Sequence, residues 1–318
     1  MIDVSVIFVS YNTRELTLCA IAALYESTAN SALNVEIILV DNASVDGTTE
    51  AVAARYPEVV LLPESKNFGF GGGNNRAADV ARGQALFFLN TDTECRAGVV
   101  DALFEELMRD RAVGAVGARL FYPDGSHQRS VLCVPTLRRI FCEFFWLDRI
   151  GLPFFSGPFA EGLDPDLPAS VEAVHGAAFM MHSALFAAIG QFDTDYFMYF
   201  EEDDLCHRIR LASRTIRYAP DACVMHHVSG SYRSSPWWFY RISRSSRRIF
   251  ARKHLSLPSQ MLIELVVQSG YLMRVLLFTA ASPFNARLRM LAGRIVRSYV
   301  DRSGPDSARP ERLPEDAD

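Results

Sequence analysis

The chain has 318 residues, of which 49% are hydrophobic and 22% charged, so it can form one large domain or one domain with an appendage. Its net charge of −5 argues against nucleic acid as a partner. The six cysteines show neither a CxxC pair nor zinc-like spacing, and the first residues include no basic segment. We therefore expect reduced thiols, no signal peptide and a cytosolic compartment.

The first part of the chain alternates apolar runs with helix-like segments. Strands are predicted at 2–9, 35–40, 59–62 and 85–89, and helices at 13–25, 46–55, 73–81 and 97–108, followed by an apolar segment at 113–122. Repeated strand–helix units predict an α/β fold, with a Rossmann-like, mostly parallel sheet flanked by helices. Ligands of such sheets bind beyond the carboxyl ends of the strands.

Periodicity is weak from 121 to 170, which predicts a long excursion with a helix near 137–150. Regular structure is then expected in an extended segment, two helices and two short strands, at 171–174, 183–189, 203–211, 216–219 and 222–226.

The segment VDNASVDGT (40–48) runs from a predicted strand into an acidic turn. Asp46 is explained by the turn and by capping of the next helix. Asp41 is explained less well, because a carboxylate at the end of a buried strand needs a partner. A nucleobase N–H group would be a suitable one.

The segment NFGFGGGNNR (67–76) is rich in glycine and precedes a predicted helix. Glycines allow the backbone to approach a ligand, and helix N-termini attract anions. The segment lacks the Lys-Ser/Thr pair of a phosphate-binding loop, and its glycine spacing does not fit a dinucleotide fingerprint. A flexible turn is the alternative interpretation.

Further acids and histidines follow later strands. Asp92 and Glu94 end the run LFFLNTDTE (86–94), and carboxylate oxygens there would suit a hard divalent ion. Asp92 is the better candidate, because Glu94 is also explained by the start of the next helix. His226 and His227 follow the last short strand, where a structural role is the alternative to metal ligation.

Four consecutive acids, Glu201 to Asp204, stand between the aromatic run FMYF (197–200) and a basic, helix-like segment. Adjacent acids repel one another, so folding alone gives little reason to place them here. Some of them can face cations while one accepts a proton. A solvated helix N-terminus is the alternative.

Together these segments resemble the inverting family-2 glycosyltransferases with a GT-A fold, in particular their bacterial rhamnosyltransferase-like branch. The resemblance spans about residues 3 to 254. It is carried by VSYN (9–12), VDNASVDGT (40–48), NFGFGGGNN (67–75), LNTD (89–92), FEEDDLC (200–206) and HHVSGS (226–231).

The resemblance implies that Asp41 contacts the base of a nucleotide-sugar. The other residues it places in the nucleotide-sugar pocket are Ser10, Tyr11, Asn12, Asn42, Asn67, Gly69, Asn75, Asn90 and Thr91. Asp92 and His226 would hold a divalent metal, Mg²⁺ or Mn²⁺. Glu202 falls at the position of the catalytic base, with Glu201 and Asp204 as alternatives.

Two positions depart from the family pattern. Asn90 takes the first place of the aspartate-any-aspartate metal motif, which leaves one carboxylate ligand. Glu202 stands where aspartate is commoner, and its longer side chain moves the basic oxygen by about one carbon–carbon bond.

The predicted organisation is a GT-A catalytic domain at 1–232, an appendage at 233–300 and a disordered tail at 301–318. Within the catalytic domain, residues 1–122 would bind the nucleotide and 123–232 the acceptor. In the appendage, a basic helix precedes an apolar stretch, 255–282, that Glu264, Gln268 and Arg274 interrupt. This stretch fits a spanning helix poorly. It suggests contact with an anionic membrane, or else a helical hairpin packed on the catalytic domain.

The expected activity is transfer of a sugar such as rhamnose from a dTDP- or UDP-linked donor by a single inverting displacement. The acceptor would be a glycan or a lipid-linked glycan of polysaccharide assembly in the cell envelope. We expect the protein at the inner face of the bacterial plasma membrane. A catalytically silent nucleotide-sugar-binding protein is the alternative, and a sugar nucleotidyltransferase would require an early glycine- and lysine-rich segment that is missing after residues 2–9.

Overall fold

The structure is a computed structural model that describes residues 1–150, 152–160, 162–228, 236–281 and 285–300. The chain divides into two compact units. The first unit comprises Met1–Val134, Phe159–Phe197 and Glu201–Val228. The second comprises Pro135–Pro158, Met198–Phe200 and the described residues beyond 229. The functional boundaries at 122 and 232 remain predictions, and the predicted tail at 301–318 lies outside the described residues.

The first unit is built on one large sheet. Its strands are β1 (Val4–Ser10), β2 (Val35–Asp41), β3 (Val60–Pro63), β4 (Ala85–Leu89), β5 (Thr93–Cys95), β6 (Val113–Phe121), β7 (His127–Gln128), β9 (Ala169–Val171), β11 (Ala178–His182) and β12 (Thr215–His226). A separate pair is formed by β8 (Val131–Leu132) and β10 (Ala173–Val174). The main sheet has the order β3-β2-β1-β4-β11-β6-β12-β5.

The predicted α/β fold is confirmed, and the parallel arrangement holds for β1 to β4. Beyond β4 the sheet is mixed, because β11 runs antiparallel to both β4 and β6. This central strand was not predicted, since a short run buried on both faces has no alternating pattern. The two strands predicted at 216–219 and 222–226 are one strand, β12, with a register shift between Ala219 and Cys223.

Helices cover both faces of the sheet. In this unit they are α1 (Arg14–Thr28), α2 (Thr48–Arg55), α3 (Gly69–Ala78), α4 (Val99–Met108), α6 (Ser183–Ala188) and α7 (Glu201–Leu211). Strand β1 shows how the sheet divides the core, because Val6 and Phe8 pack on one side and Ile7 on the other.

Helix α3 corrects the interpretation of the glycine-rich segment as a loop before a helix. The helix begins at Gly69 and includes all the glycines. A Cβ atom on Gly73 would lie 2.7 Å from Cγ1 of Val9, and one on Gly71 would lie 3.0 Å from Cβ of Phe192. The glycines therefore allow α3 to pack closely on β1 and on the chain near residue 192.

The second unit contains α5 (Leu137–Phe144), α8 (Pro236–His254), α9 (Leu257–Ala281) and α10 (Ala286–Val300). Its core consists of Ile140, Phe144, Ala251, Ile263, Val267, Tyr271 and Ile295. The helix predicted at 137–150 ends early, because Trp146 has a φ of 57°. A short 3-10 helix at Leu147–Ile150 follows.

Residues Met198–Phe200 pack on α8 within the second unit. The Ser246 hydroxyl donates to the Met198 carbonyl at 2.8 Å, and the ring centroids of Tyr199 and Phe239 lie 5.1 Å apart. Tyr199 and Phe200 have φ values of 68° and 71°. Two consecutive aromatic residues in the left-handed region are costly, so these contacts hold the backbone in a strained form.

Helix α9 has one buried and one exposed apolar face. Ile263, Val267, Gly270 and Tyr271 are buried. Leu257, Met261, Leu265, Leu272 and Leu276 form an exposed stripe, each side chain between 59% and 67% accessible. By length and composition α9 could cross a membrane, which the interrupted sequence did not predict. The interrupting charges are partnered, since Arg248 pairs with Glu264 and Arg274 donates to the Glu143 carbonyl.

Helix α8 is the predicted basic helix, but some of its arginine side chains are buried. Arg244 is buried, lies over the Tyr299 ring at 3.8 Å and donates to the Ser298 carbonyl. Arg248, four residues later, remains about half-exposed.

Candidate active site

The carboxyl ends of β1, β2 and β4 bring the first predicted residues to one edge of the sheet. Ser10 and Asp41 are direct neighbours in the register of β1 and β2. The segment Asn90–Asp92 follows the end of β4, which pairs with β1 on its other side.

A cluster of hydroxyl groups ties these strand ends together. The Ser10 hydroxyl lies 3.0 Å from that of Thr13 and 3.1 Å from that of Thr17. The Thr13 hydroxyl lies 3.1 Å from that of Thr91, which follows β4. Ser10 and Thr91 are both buried, so their polar atoms are satisfied mainly by this network. The network fixes the start of α1 against the segment that leads to Asp92.

Asp41 is buried but already has partners within the chain. Its Oδ2 accepts a hydrogen bond from the Thr49 hydroxyl at 2.7 Å, and its Oδ1 accepts one from the Ser44 hydroxyl. These hydroxyls satisfy the carboxylate that the sequence analysis left without a partner. Because each carboxylate oxygen can accept more than one hydrogen bond, contact of Asp41 with a nucleobase stays a prediction.

Asn12 shapes the loop beside Asp41. Its φ is 54°, its N–H donates to the Ser44 hydroxyl at 2.8 Å, and its Oδ1 accepts from the Val45 N–H at 2.8 Å. Tyr11, the residue before it, is 38% exposed. The Tyr11 ring is therefore accessible to a ligand, whereas the Asn12 side chain is occupied by the loop.

Residues of the glycine-rich segment mainly bond to the protein itself. The Asn42 amide donates to the Gly69 carbonyl at 2.9 Å, and Asn67 Oδ1 accepts from the Gly69 N–H at 2.8 Å. Asn75 bonds to both the N–H and the carbonyl of Phe192. Gly69 has a φ of 74°, and a Cβ atom there would lie 2.1 Å from the Phe197 carbonyl oxygen. These residues support the backbone, and their contact with a nucleotide-sugar remains a prediction.

The structure brings Asp92 and His226 together. His226 ends β12, and its Nε2 lies 3.3 Å from Oδ1 of Asp92. Both side chains are buried. Neighbouring ligands of an octahedral ion with bonds of about 2.1 Å are separated by about 3 Å, so this spacing suits two ligands of one ion.

Gln128 fixes the orientation of the His226 ring. Nδ1 lies 3.1 Å from Oε1 of Gln128, and because an amide oxygen can only accept, Nδ1 carries a proton. In the neutral ring, Nε2 therefore presents a lone pair toward the Asp92 carboxylate. A proton or a divalent cation between these atoms would satisfy both, and a second residue that orients a ligating histidine is typical of metal sites.

Among the residues that the structure describes, no group of three or more histidine, cysteine, aspartate or glutamate side chains is arranged to hold a metal ion. His227 is occupied separately, with its Nε2 2.7 Å from Glu94. Asp92 and His226 are thus the two side chains of the predicted metal site that the structure brings together, and their ligation of an ion stays a prediction.

His175 was missed by the sequence analysis. It lies between β10 and β11, and its ring centroid is 5.6 Å from that of His226. Desolvation of the ring, together with the nearby His226, lowers the pKa of His175 to about 4, although Asp92 opposes the shift. No motif spacing marks this residue, because only the folded sheet brings it to the Asp92–His226 pair.

The four acids open helix α7, in the first turn, where acidic side chains interact favourably with the helix dipole. Asp204 is buried and its Oδ2 lies 2.6 Å from Nη2 of Arg208, so its charge is used within the fold. Glu201 is also buried. Glu202 is more accessible, and its Oε1 lies 3.5 Å from the position of a Cβ atom on Gly176. Of the four, Glu202 is therefore placed beside the segment that carries His175.

Residues 5–157 match the profile of the family described as Glycosyl transferase family 2. The N-acetylglucosaminyl-diphospho-decaprenol L-rhamnosyltransferase of Mycobacterium tuberculosis is 32% identical over 217 residues, which cover 64% of this chain and 69% of that protein.

Two solved structures show the same fold. The mannosyltransferase PcManGT of Pyrobaculum calidifontis, in complex with GDP-Man and Mn²⁺, has a TM-score of 0.55 and 17% identity, covering 93% of this chain and 86% of that one. GalNAc-T7, with UDP, GalNAc and Mn²⁺, also has a TM-score of 0.55, with 15% identity and coverage of 79% of this chain and 50% of that one.

Proposed function

Since the chain belongs to glycosyl transferase family 2 and is a glycosyltransferase, we propose that it transfers rhamnose from a nucleotide-linked donor to a lipid-linked glycan. The observation that carries the mechanism is the position of Glu202 beside Gly176, next to His175, whose ring faces the Asp92–His226 pair. A proton acceptor and a cation-binding pair thus flank the same short segment.

The proposed reaction is one displacement at the anomeric carbon of the donor. The acceptor hydroxyl loses its proton to the Glu202 carboxylate as its oxygen forms a bond to that carbon. The bond between the carbon and the phosphate oxygen breaks, and its electron pair leaves on the nucleoside diphosphate. This single step inverts the configuration and requires no nucleophilic residue of the enzyme.

Asp92 and His226 would hold Mg²⁺ or Mn²⁺. The fit rests on the 3.3 Å spacing of Oδ1 and Nε2 and on the tautomer that Gln128 imposes on His226. When bound, the ion would neutralise negative charge on the departing diphosphate. The protein's own part is to orient these two ligands and to leave the remaining positions to phosphate oxygens.

The donor preference can be tested by measuring nucleoside diphosphate release from dTDP-rhamnose, UDP-linked and GDP-linked sugars, with Mn²⁺ or Mg²⁺ and a diphospholipid-linked glycan acceptor. We expect release and transfer to be fastest with dTDP-rhamnose. Faster transfer from another donor would overturn the assignment of rhamnose. Binding without release from every donor would favour the catalytically silent alternative.

We further propose that α9 lies on the anionic cytoplasmic face of a membrane, close to a lipid-linked acceptor. The exposed leucine and methionine stripe of α9 is one support. The other is charge, because residues 236–300 contain eleven arginine or lysine residues and one acid, Glu264. Apolar burial and attraction to anionic lipid act together in interfacial helices.

Replacing two residues of this stripe, Leu265→Gln with Leu272→Gln, is expected to weaken binding to vesicles containing phosphatidylglycerol by about tenfold or more. The matched control is Leu211→Gln, which changes a leucine of the first unit with 69% exposure. Co-sedimentation with anionic and with uncharged vesicles measures both effects. Equal binding of the double variant and the unchanged chain would contradict membrane contact through α9.

A further inference from the structure

His175 lies between the two halves of the proposed chemistry. On one side its ring is 5.6 Å from the ring of His226, which pairs with Asp92. On the other side, the next residue, Gly176, borders the Glu202 carboxylate. In the proposed reaction the donor's diphosphate is held at Asp92 and His226, and the acceptor hydroxyl loses its proton to Glu202. The anomeric carbon of the donor must therefore lie near His175 and Gly176.

The protonation pattern of the His175 ring follows from its backbone contact. The N–H of Ala177 donates to Nδ1 of His175 at 3.1 Å, so Nδ1 is an acceptor and the proton of the neutral ring sits on Nε2. Within the described part of the chain, no protein acceptor lies within hydrogen-bonding distance of Nε2. His175 as a residue is of intermediate exposure, which leaves room for a ligand to approach Nε2.

We propose that His175 is a substrate-binding residue that donates a hydrogen bond from Nε2 to a β-phosphate oxygen of the nucleotide-sugar. The inference rests on the proposed function and extends it to a residue outside the recognised motifs. Negative charge grows on the β-phosphate as the bond to the sugar breaks, and a fixed N–H donor stabilises that charge more strongly in the transition state than in the bound donor.

The direction of the His175 ring is set within the fold. The backbone bond from Ala177 fixes the direction of the ring before substrate arrives, so little reorganisation is needed during reaction.

The test removes the His175 ring with one variant and restores a hydrogen-bond donor at the same position with a second variant. With dTDP-rhamnose and Mn²⁺, His175→Phe should lower kcat by about 10²-fold, the usual effect of losing one such donor, and change the donor KM much less. His175→Gln, whose amide can donate near the position of Nε2, should recover most of the lost rate. His227→Phe is the matched control, because His227 pairs with Glu94 and should leave kcat unchanged.

Binding of product analogues gives a readout that does not depend on turnover. Titration calorimetry with Mn²⁺ should show that His175→Phe weakens dTDP by about tenfold, as expected for a hydrogen bond to a charged group, and leaves dTMP, which has no β-phosphate, unaffected. Equal weakening of both nucleotides, or a kcat within threefold of the unchanged enzyme, would overturn the role of His175.

The same series separates this inference from the proposed function. If Asp92→Asn and Glu202→Gln abolish transfer while His175→Phe does not, the role of His175 fails and the sugar-transfer mechanism stands. If Asp92→Asn and Glu202→Gln both retain normal transfer, the proposed mechanism itself fails. A thermal unfolding midpoint within about 2 °C of the unchanged chain shows that a variant is folded.

Discussion

Glu202→Gln is expected to lower kcat by about 10²- to 10⁴-fold, the range usual for loss of a general base, while donor affinity changes little. The amide has nearly the size of the carboxylate but cannot take a proton from the acceptor hydroxyl. Single-turnover transfer and separate titration of dTDP with Mn²⁺ measure the two quantities independently. Near-normal transfer by this variant would remove Glu202 from the role of base.

Neighbouring acids provide the comparison for Glu202. Asp204→Asn removes the carboxylate that pairs with Arg208 in a buried position, and breaking such a pair costs about 3–5 kcal/mol. We therefore expect Asp204→Asn to lower the thermal unfolding midpoint, and Glu202→Gln to leave it nearly unchanged. Glu201→Gln tests the remaining alternative, and a larger loss of kcat there than in Glu202→Gln would move the base to Glu201.

Asp92→Asn is expected to have the second large effect, because the amide is a much poorer ligand for Mg²⁺ or Mn²⁺ than the carboxylate. We expect at least about a 100-fold fall in kcat/KM and weaker Mn²⁺ binding in the presence of dTDP. Chelation with EDTA should abolish activity of the unchanged enzyme, and added Mn²⁺ should restore it.

The matched control for Asp92 is Glu94→Gln. Glu94 lies two residues along the chain but pairs with His227. Its replacement should leave the Mn²⁺ requirement unchanged. The assignment would move from Asp92 to Glu94 if Glu94→Gln required more Mn²⁺ while Asp92→Asn kept normal activity.

Local patterns in the sequence predicted most strands and helices before residue 122, but not β5 and not the start of α3. Strand β4 has the predicted bounds, and β1 and β2 differ from them by at most two residues, because their apolar runs end at polar residues. Strand β11 was missed, since its run AFMMH has no polar alternation and is followed directly by a helix. The antiparallel part of the sheet depends on this strand and could not be derived without it.

In the candidate site, too, single residues could be predicted from the local sequence, whereas contacts between distant residues could not. Asp92 was identified from its place after an apolar strand, and its pairing with His226 joins residues that are 134 positions apart in the sequence. The hydroxyl partners of Asp41 could not be predicted, because Ser44 and Thr49 have no distinctive pattern. His175 carries no local signal, and only the pairing of strands places it near Asp92.

The backbone in front of Glu201 limits how the chain can be shortened. A fragment ending at residue 228 would lack Ser246, which bonds to the Met198 carbonyl, and Phe239 and Phe250, which pack on the next two residues. Tyr199 and Phe200 would then be released to return to negative φ angles. Inactivity of such a fragment would therefore carry no information about Glu202, because the backbone directly before its helix would also have changed.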